Sequence, residues 1–255
     1  DVNDFQKAGG MGFVFQELMN EGLLDTSAQT SWGKDFSESF KIPVLGNSEI
    51  VWSAGKVNSN DKEILRPVSK PFNKTGGVKV LNGNLGKAII KVSSVSDKHL
   101  KVSAEAMVFN SQADVKIAFN AGLLEKDVVV VVRGQGPQAN GMPELHSLTP
   151  MLSIIQDKGF QVALVTDGRM SGASGRIPAA IHLYPESVEG GPISKLVDGD
   201  LITLDSVNGE LFSQTSLEGR VSQQNSHSAL ATGFGREIFS VLRRNSANAE
   251  LGGGI

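Results

Sequence analysis

The chain has 255 residues, 40% of them hydrophobic, which suffices for one large globular domain or for one domain with part of another. Its formal charge of −3, with both signs mixed along the chain, offers neither a basic field for nucleic acid nor an acidic tail. Cysteine is absent, so disulfides, thiolate zinc sites and cysteine-ligated iron–sulfur clusters within this chain are excluded. We expect a cytoplasmic protein with no nucleic-acid or membrane partner, because there is no long apolar run and no signal-peptide pattern.

The first quarter of the chain predicts one helix followed by a connector. Residues 11–24 carry apolar side chains at helical intervals, and the helix should end near Gly22. Residues 25–62 are rich in Ser, Asn and Asp, with Trp32 and Trp52 as expected packing anchors. The opening residues read like the middle of a protein, so we expect an excised C-terminal part.

From about residue 65 the sequence becomes β-rich, which predicts a boundary between domains 1–65 and 66–255. Two β-rich runs, 78–81 and 88–92, are separated by turn residues as in a hairpin. Five consecutive valines then predict a strand that is buried on both faces. The further predicted elements are a strand at 104–109, a helix at 111–121 capped by Ser111, the valine strand at 128–132, a helix from Pro143 to Lys158, a strand at 162–165, a strand at 201–204 between two hairpin turns, and a helix at 235–244 with Ile238, Phe239 and Leu242 inward.

These short strands and few helices predict an α/β fold with a mainly β, barrel-like main domain. The valine strand and the strand at 162–165 each open into a Gly-rich polar loop, and ligands favour such strand ends. In the second loop, closely spaced glycines can point successive N–H groups at an anion, although a tight turn without ligand fits the spacing equally well. The candidate substrate-binding residues are Asp167, Gly168, Arg169, Gly172, Ser174 and Arg176.

The motifs VTDGRMSGASG and GPQANGMPELHSLTP, with others along nearly the whole chain, resemble the dihydroxy-acid and phosphogluconate dehydratase family. The resemblance implies the end of an α/β domain that binds an iron–sulfur cluster of the 4Fe–4S type, followed by a swivelling β-barrel domain, within a homodimer. The cluster ligands would lie in an N-terminal part of the same enzyme. SGASGRIPAA and NGMPELHSLTP favour the phosphogluconate branch.

The implied reaction is dehydration of 6-phospho-D-gluconate to 2-dehydro-3-deoxy-6-phospho-D-gluconate. By resemblance Ser171 is the catalytic base, acting as an alkoxide, and Glu144 is a ligand of Mg²⁺. Alternatively, Ser171 is a turn hydroxyl and Glu144 an ordinary carboxylate in the first turn of a helix. Arg169 and Arg176 would meet the substrate's carboxylate and phosphate in an undecided order.

Four further side chains are not expected to take part in catalysis. Arg133 and Lys195 should be solvated surface charges, and His146 and His182 should have structural roles. Two other functions remain open. One is dehydration of a related sugar acid or dihydroxy acid, and the other is a non-catalytic module that binds a sugar phosphate.

Overall fold

A computed structural model of the protein describes residues 1–31, 36, 40–55, 58–170, 176–223, 233 and 235–254. The chain divides into two compact units, Asp1–Thr75 and Gly76–Ile255. No helix among the described residues has the length and apolar character needed to cross a membrane.

The first unit contains two helices and a hairpin. Helix α1 (Val2–Ala8) is capped by Asp1, and helix α2 (Gly10–Asn20) follows after Gly9. Strands β1 (Ile42–Gly46) and β2 (Glu49–Ser53) pair antiparallel. The predicted helix is therefore confirmed, with its end at Asn20, and α1 is an addition to it.

Among the described residues of this unit, aromatic ring packing does not involve Trp52. The rings of Phe15, Phe36 and Phe40 pack edge to face, with centroids 5.5–6.0 Å apart. Trp52 is 56% exposed, because it lies on a two-stranded sheet in which every residue of β2 except the last faces solvent. The prediction that Trp52 is a packing anchor is wrong, and Trp32 lies outside the described residues.

The second unit is a closed barrel of eight strands, in the order β10-β3-β4-β8-β7-β6-β5-β9. Strands β5 to β8 run parallel to one another, and the remaining pairs are antiparallel except β10 with β3. The strands are β3 (Val78–Gly83), β4 (Gly86–Lys91), β5 (Lys101–Phe109), β6 (Val128–Val132), β7 (Val162–Thr166), β8 (Ala179–Tyr184), β9 (Leu201–Asp205) and β10 (Glu210–Ser213). The predicted α/β class with a barrel-like β domain is confirmed.

The valine strand β6 separates two hydrophobic cores. Val129 and Val131 point into the barrel, whereas the other three valines pack outward under helices α3 (Gln112–Asn120) and α5 (Leu148–Asp157). All five are fully buried, which confirms the interpretation of an unalternating apolar run as a strand covered on both faces. Ser111 caps α3 by accepting from the N–H of Asp114, also as predicted.

Two helix predictions need correction. Helix α5 begins at Leu148 rather than Pro143, since Met142 has a positive φ of 55° and Glu144 forms a β-bridge with Arg169. A short helix α4 (Pro137–Asn140) precedes this segment.

Near the C-terminus the predicted helix is split into a 3₁₀ turn (Arg236–Phe239) and helix α6 (Ser240–Asn245). Ile238, Phe239 and Leu242 are 74%, 56% and 43% exposed, so their predicted inward orientation is wrong. A 3₁₀ turn repeats every three residues, and it therefore breaks the 3.6-residue spacing on which that prediction depended.

Candidate active site

The candidate active site lies at the carboxyl ends of the parallel strands β6 and β7. Because the two strands are in register, with Val132 opposite Thr166, the loops that follow them meet at one edge of the barrel. Each loop begins with a charged residue, Arg133 after β6 and Asp167 after β7. The sequence predicts a Gly-rich loop after each of these strands, and the structure places the starts of both loops at this one edge.

Asp167 joins three loops at this edge through its buried carboxylate. Its Oδ1 accepts from the backbone N–H of Gln135 at 2.8 Å. Its Oδ2 accepts from the N–H groups of Gly134 at 3.0 Å and Ser187 at 2.9 Å. Burial raises the pKa of Asp167, and the three N–H groups act in the opposite direction by stabilising its charged form. The structure thus gives this side chain the geometry of a positioning group.

Glu186 forms a second buried junction beside the first. Its two carboxylate oxygens accept from the N–H groups of Gln138 and Ala139, each at 3.0 Å, in the first turn of α4. Burial is the main cause that raises the pKa of Glu186 to about 7, with Asp167 adding to it. A Cβ at Gly136 would come within 2.2 Å of a Glu186 oxygen, so a glycine is required at that position.

Arg133 is buried, with only 6% of its surface exposed, so the prediction of a solvated surface charge is wrong. Its guanidinium donates to Asn110 Oδ1 at 3.1 Å, to the Leu196 carbonyl at 2.9 Å and to Gln223 Oε1 at 2.9 Å. A buried arginine is tolerated because these acceptors replace water. Burial lowers the pKa of Arg133, and the nearby Asp167 charge opposes that shift by favouring the protonated form. Arg133 therefore ties the loop after β6 to the segment near Leu196.

Glu144 and Arg169 form an ion pair at the mouth of this edge, with Nη1 and Oε2 2.9 Å apart. Arg169 Nε also donates to the Met142 carbonyl at 2.8 Å, which fixes the plane of the guanidinium. The Arg169 side chain is 49% exposed and the Glu144 side chain 28%, so both remain accessible to a ligand. Because α5 starts at Leu148, the alternative of Glu144 as a first-turn helix carboxylate is wrong.

Gly168 and His182 hold the backbone next to Arg169 in place. A Cβ on Gly168 would lie 2.7 Å from the Cβ of Gln135, so the loops approach this closely only with glycine. The carbonyl of Gly168 accepts from the N–H of His182, which has a positive φ of 55° at an irregularity between β4 and β8. Burial, and to a lesser extent the Arg169 charge, lower the pKa of His182.

Arg176 is not brought together with Arg169. Arg176 pairs with Asp157 at 2.8 Å, at the last residue of α5. Met170, next to Arg169, instead contacts Thr149 in the first turn of α5. Thr149 and Asp157 are eight residues apart, or about 12 Å along the helix. The two arginines thus lie near opposite ends of α5.

Three predicted site residues, Ser171, Gly172 and Ser174, lie outside the described residues. Of the described residues that flank them, Met170 contacts Thr149 at one end of α5 and Arg176 pairs with Asp157 at the other end. Sequence reasoning missed Glu186 and assigned Arg133 to the surface. Both charged residues follow closely after a strand with buried residues, β8 or β6, and this position is the sequence signal that could have identified them.

The cofactors implied by the family resemblance find few ligands in this chain. A cluster held by cysteine thiolates does not fit, because the sequence contains no cysteine. For Mg²⁺ the described residues supply no group of three or more acidic or histidine side chains, and Glu144 is already paired with Arg169. One carboxylate is insufficient for the six oxygen ligands that Mg²⁺ prefers.

Comparison with known proteins agrees with the barrel and with the loops at its edge. The family model for the C-terminal domain of dihydroxy-acid/6-phosphogluconate dehydratases matches residues 63–253. The chain belongs to the dihydroxy-acid/6-phosphogluconate dehydratase family.

Within that family the strong similarities are to phosphogluconate dehydratases. The chain is 47% identical to that of Pseudomonas aeruginosa, over 99% of this chain and 42% of the relative. It is 48% identical to that of Zymomonas mobilis, again over 99% and 42%. A dihydroxy-acid dehydratase of Agathobacter rectalis is 34% identical over 98% of this chain and 43% of the relative. The chain thus spans about two fifths of the length of the curated relatives it matches.

Proposed function

We propose that this chain is part of an enzyme that dehydrates 6-phospho-D-gluconate to 2-dehydro-3-deoxy-6-phospho-D-gluconate, the dehydration step of the Entner–Doudoroff pathway. The observation that carries the proposal is the gap in identity, 46–48% with phosphogluconate dehydratases against 34% with a dihydroxy-acid dehydratase. The gap extends over nearly the whole chain, so it favours the phosphogluconate branch over the dihydroxy-acid branch.

Residues 1–65 are proposed as the end of a cluster-binding domain, and residues 66–255 as a swivelling barrel that covers the reaction centre. The partners are the remaining N-terminal part of the enzyme, a second copy in a homodimer and the sugar-acid phosphate. The cluster, of the 4Fe–4S type in this proposal, would take its ligands from outside these 255 residues. Glu144 would contribute one ligand to Mg²⁺, with the others also from elsewhere.

Arg169 is proposed to bind the substrate's carboxylate. Two observations support this role: the side chain is half exposed, and its Nε and Nη1 are held by Met142 and Glu144. A guanidinium fixed in one plane loses little freedom when it receives a carboxylate in the two-pronged geometry that both groups favour. Asp167 and Gly168 would contribute by holding the loop in place, and Gly172 and Ser174 by lining the same loop.

Ser171 is proposed as the base that removes the proton at C2 of the substrate. A serine hydroxyl is a weak acid, so its anion would need stabilisation from loop N–H groups and nearby positive charge. Arg169, two residues away in sequence, is one source of such charge.

The test uses the full-length enzyme and measures the formation of 2-keto acid. We expect turnover of 6-phospho-D-gluconate to exceed that of D-gluconate and of a 2,3-dihydroxy acid. In Ser171→Ala the cluster absorbance should persist while kcat falls by about 10²-fold or more. Ser153→Ala, in the middle of α5, is the matched control and should leave kcat unchanged.

Turnover restricted to the dihydroxy acid would contradict the proposed substrate. Near-normal kcat in Ser171→Ala would remove Ser171 from the mechanism. Binding of 6-phospho-D-gluconate without any turnover by the cluster-loaded enzyme would instead favour a non-catalytic sugar-phosphate module.

A further inference from the structure

A pocket of about 570 Å³ lies beside the loop that follows α4, outside the Glu144–Arg169 pair. Its walls come from that loop and from the C-terminal segment, and include Asn140, Pro143, Arg236, Phe239, Arg243 and Ser246. The described residues of the lining include two arginines and no acidic residue. The pocket is therefore electrostatically suited to an anion.

Arg236 is incompletely hydrogen-bonded in this pocket. Its Nη2 donates to Asn140 Oδ1 at 2.9 Å. Its Nε is buried and has no hydrogen-bond partner among the residues that the structure describes. A buried charged donor without an acceptor is costly, so Arg236, in the wall of this pocket, retains hydrogen-bonding capacity that the described residues do not use.

Arg243 adds a second positive charge, since it lines the pocket and makes no ion pair within the described ranges. Its neighbour Arg244 differs, because that guanidinium donates to the carbonyl and hydroxyl of Ser240. Arg244 does not line the pocket, and this contrast provides a matched control on the same helix.

The pocket shares its loop with the candidate active site. Asn140 accepts from Arg236 and donates to Gln135 Oε1 at 3.1 Å, and the Gln135 N–H binds Asp167. Two residues beyond Gly141, Pro143 lies between Met142 and Glu144, the two groups that hold Arg169. The wall of the pocket and the groups that hold Arg169 thus belong to one continuous segment, residues 140–144.

We propose that this pocket is the phosphate subsite, with Arg236 as its principal ligand and Arg243 as the second. The inference rests on the proposed function, since it assigns the two anionic ends of a sugar-acid phosphate to Arg169 and Arg236. It leaves Arg176 without a role at the phosphate, because that side chain pairs with Asp157 near the other end of α5. Arg236 would then determine specificity for phosphorylated over unphosphorylated sugar acids.

The first test measures binding of inorganic phosphate to the full-length enzyme by titration calorimetry, for the wild type and four variants. We expect Arg236→Met to weaken phosphate binding about 10- to 100-fold, as for loss of a charge-assisted hydrogen-bond pair. Arg236→Lys should recover part of the loss, because it restores the charge without the fork. Arg243→Met should weaken binding less, and Arg244→Met should bind as the wild type does. Far-UV circular dichroism checks that each variant is folded.

The second test measures kinetics of the full-length enzyme. Arg236→Met should raise KM for 6-phospho-D-gluconate about 10- to 100-fold, while weak turnover of D-gluconate, which has no phosphate, stays the same. A merely structural role would lower both activities together.

The inference is overturned if the wild-type enzyme does not bind phosphate, or if its Arg236→Met and Arg243→Met variants bind phosphate as tightly as Arg244→Met does. Phosphate binding that depends on Arg236, in an enzyme that forms no keto acid, would instead reject the proposed function and leave the subsite standing. The two failures are therefore distinguishable.

Discussion

Replacement of Asp167 by Asn should destabilise the barrel, even though the two side chains have nearly the same shape. The carboxylate accepts three backbone N–H bonds, one on Oδ1 and two on Oδ2. An amide keeps only one accepting oxygen. In its better orientation it retains the bonds from Gly134 and Ser187 and places its NH₂ group against the N–H of Gln135.

The magnitude follows from two opposing effects. An unsatisfied buried N–H and an opposed amide each cost about 1–3 kcal/mol. The neutral amide offsets part of this cost, because burial disfavours the charged form of Asp167, as its raised pKa indicates. We expect a net loss of about 2–4 kcal/mol in the free energy of unfolding of the barrel.

The measurement is urea-induced unfolding followed by far-UV circular dichroism. Tryptophan fluorescence is unsuitable, because Trp32 and Trp52, the two tryptophans of the chain, both lie in the first unit. Asp157→Asn is the control, since that carboxylate is 57% exposed and its pair with Arg176 should contribute less than about 1 kcal/mol. Equal stability of the Asp167→Asn and Asp157→Asn variants would refute a junction role for Asp167.

Two further predictions concern the barrel. In Gly83→Ala the new Cβ would lie 1.8 Å from the Leu211 carbonyl oxygen, so we expect a loss of more than about 2 kcal/mol in urea unfolding. Gly76→Ala is the control, because no neighbouring atom lies within 4 Å of the Cβ that it would add. Equal losses of stability in the two variants would contradict the clash. The pKa of Glu186 is raised to about 7 in the folded protein, so protonation of this carboxyl stabilises the fold below pH 4.5. This contribution to the free energy of unfolding is lost as pH rises through 7. The free energy of unfolding should therefore fall by at most about 3 kcal/mol between pH 5 and pH 8. In Glu186→Gln this pH dependence should largely disappear, and an unchanged pH dependence in that variant would show that Glu186 is not its source.

The sequence by itself determined the class of fold and most barrel strands. Local patterns were sufficient where one element decides its own structure. The five valines of β6 could be buried on two faces only as a covered strand, and Ser111 could cap only the helix that follows it. Local patterns also predicted a Gly-rich loop after β6 and another after β7, and the motifs in those loops indicated the family.

Only the tertiary structure decided which polar side chains are buried and which meet. Arg133 follows directly after the valine strand, but its acceptors come from residues 110, 194, 196 and 223, which no local pattern brings together. The hydrogen-bond donors of the two buried carboxylates are likewise distant in sequence. Asp167 accepts from the N–H groups of residues 134, 135 and 187, and Glu186 accepts from those of residues 138 and 139. Arg169 and Arg176 are seven residues apart in sequence, yet they lie near opposite ends of α5. By contrast, Arg236 lies 60 residues beyond Arg176 in sequence, yet it donates to Asn140, which in turn donates to Gln135 in the candidate active site. Barrel closure and chain reversal set these distances, and separation in sequence does not.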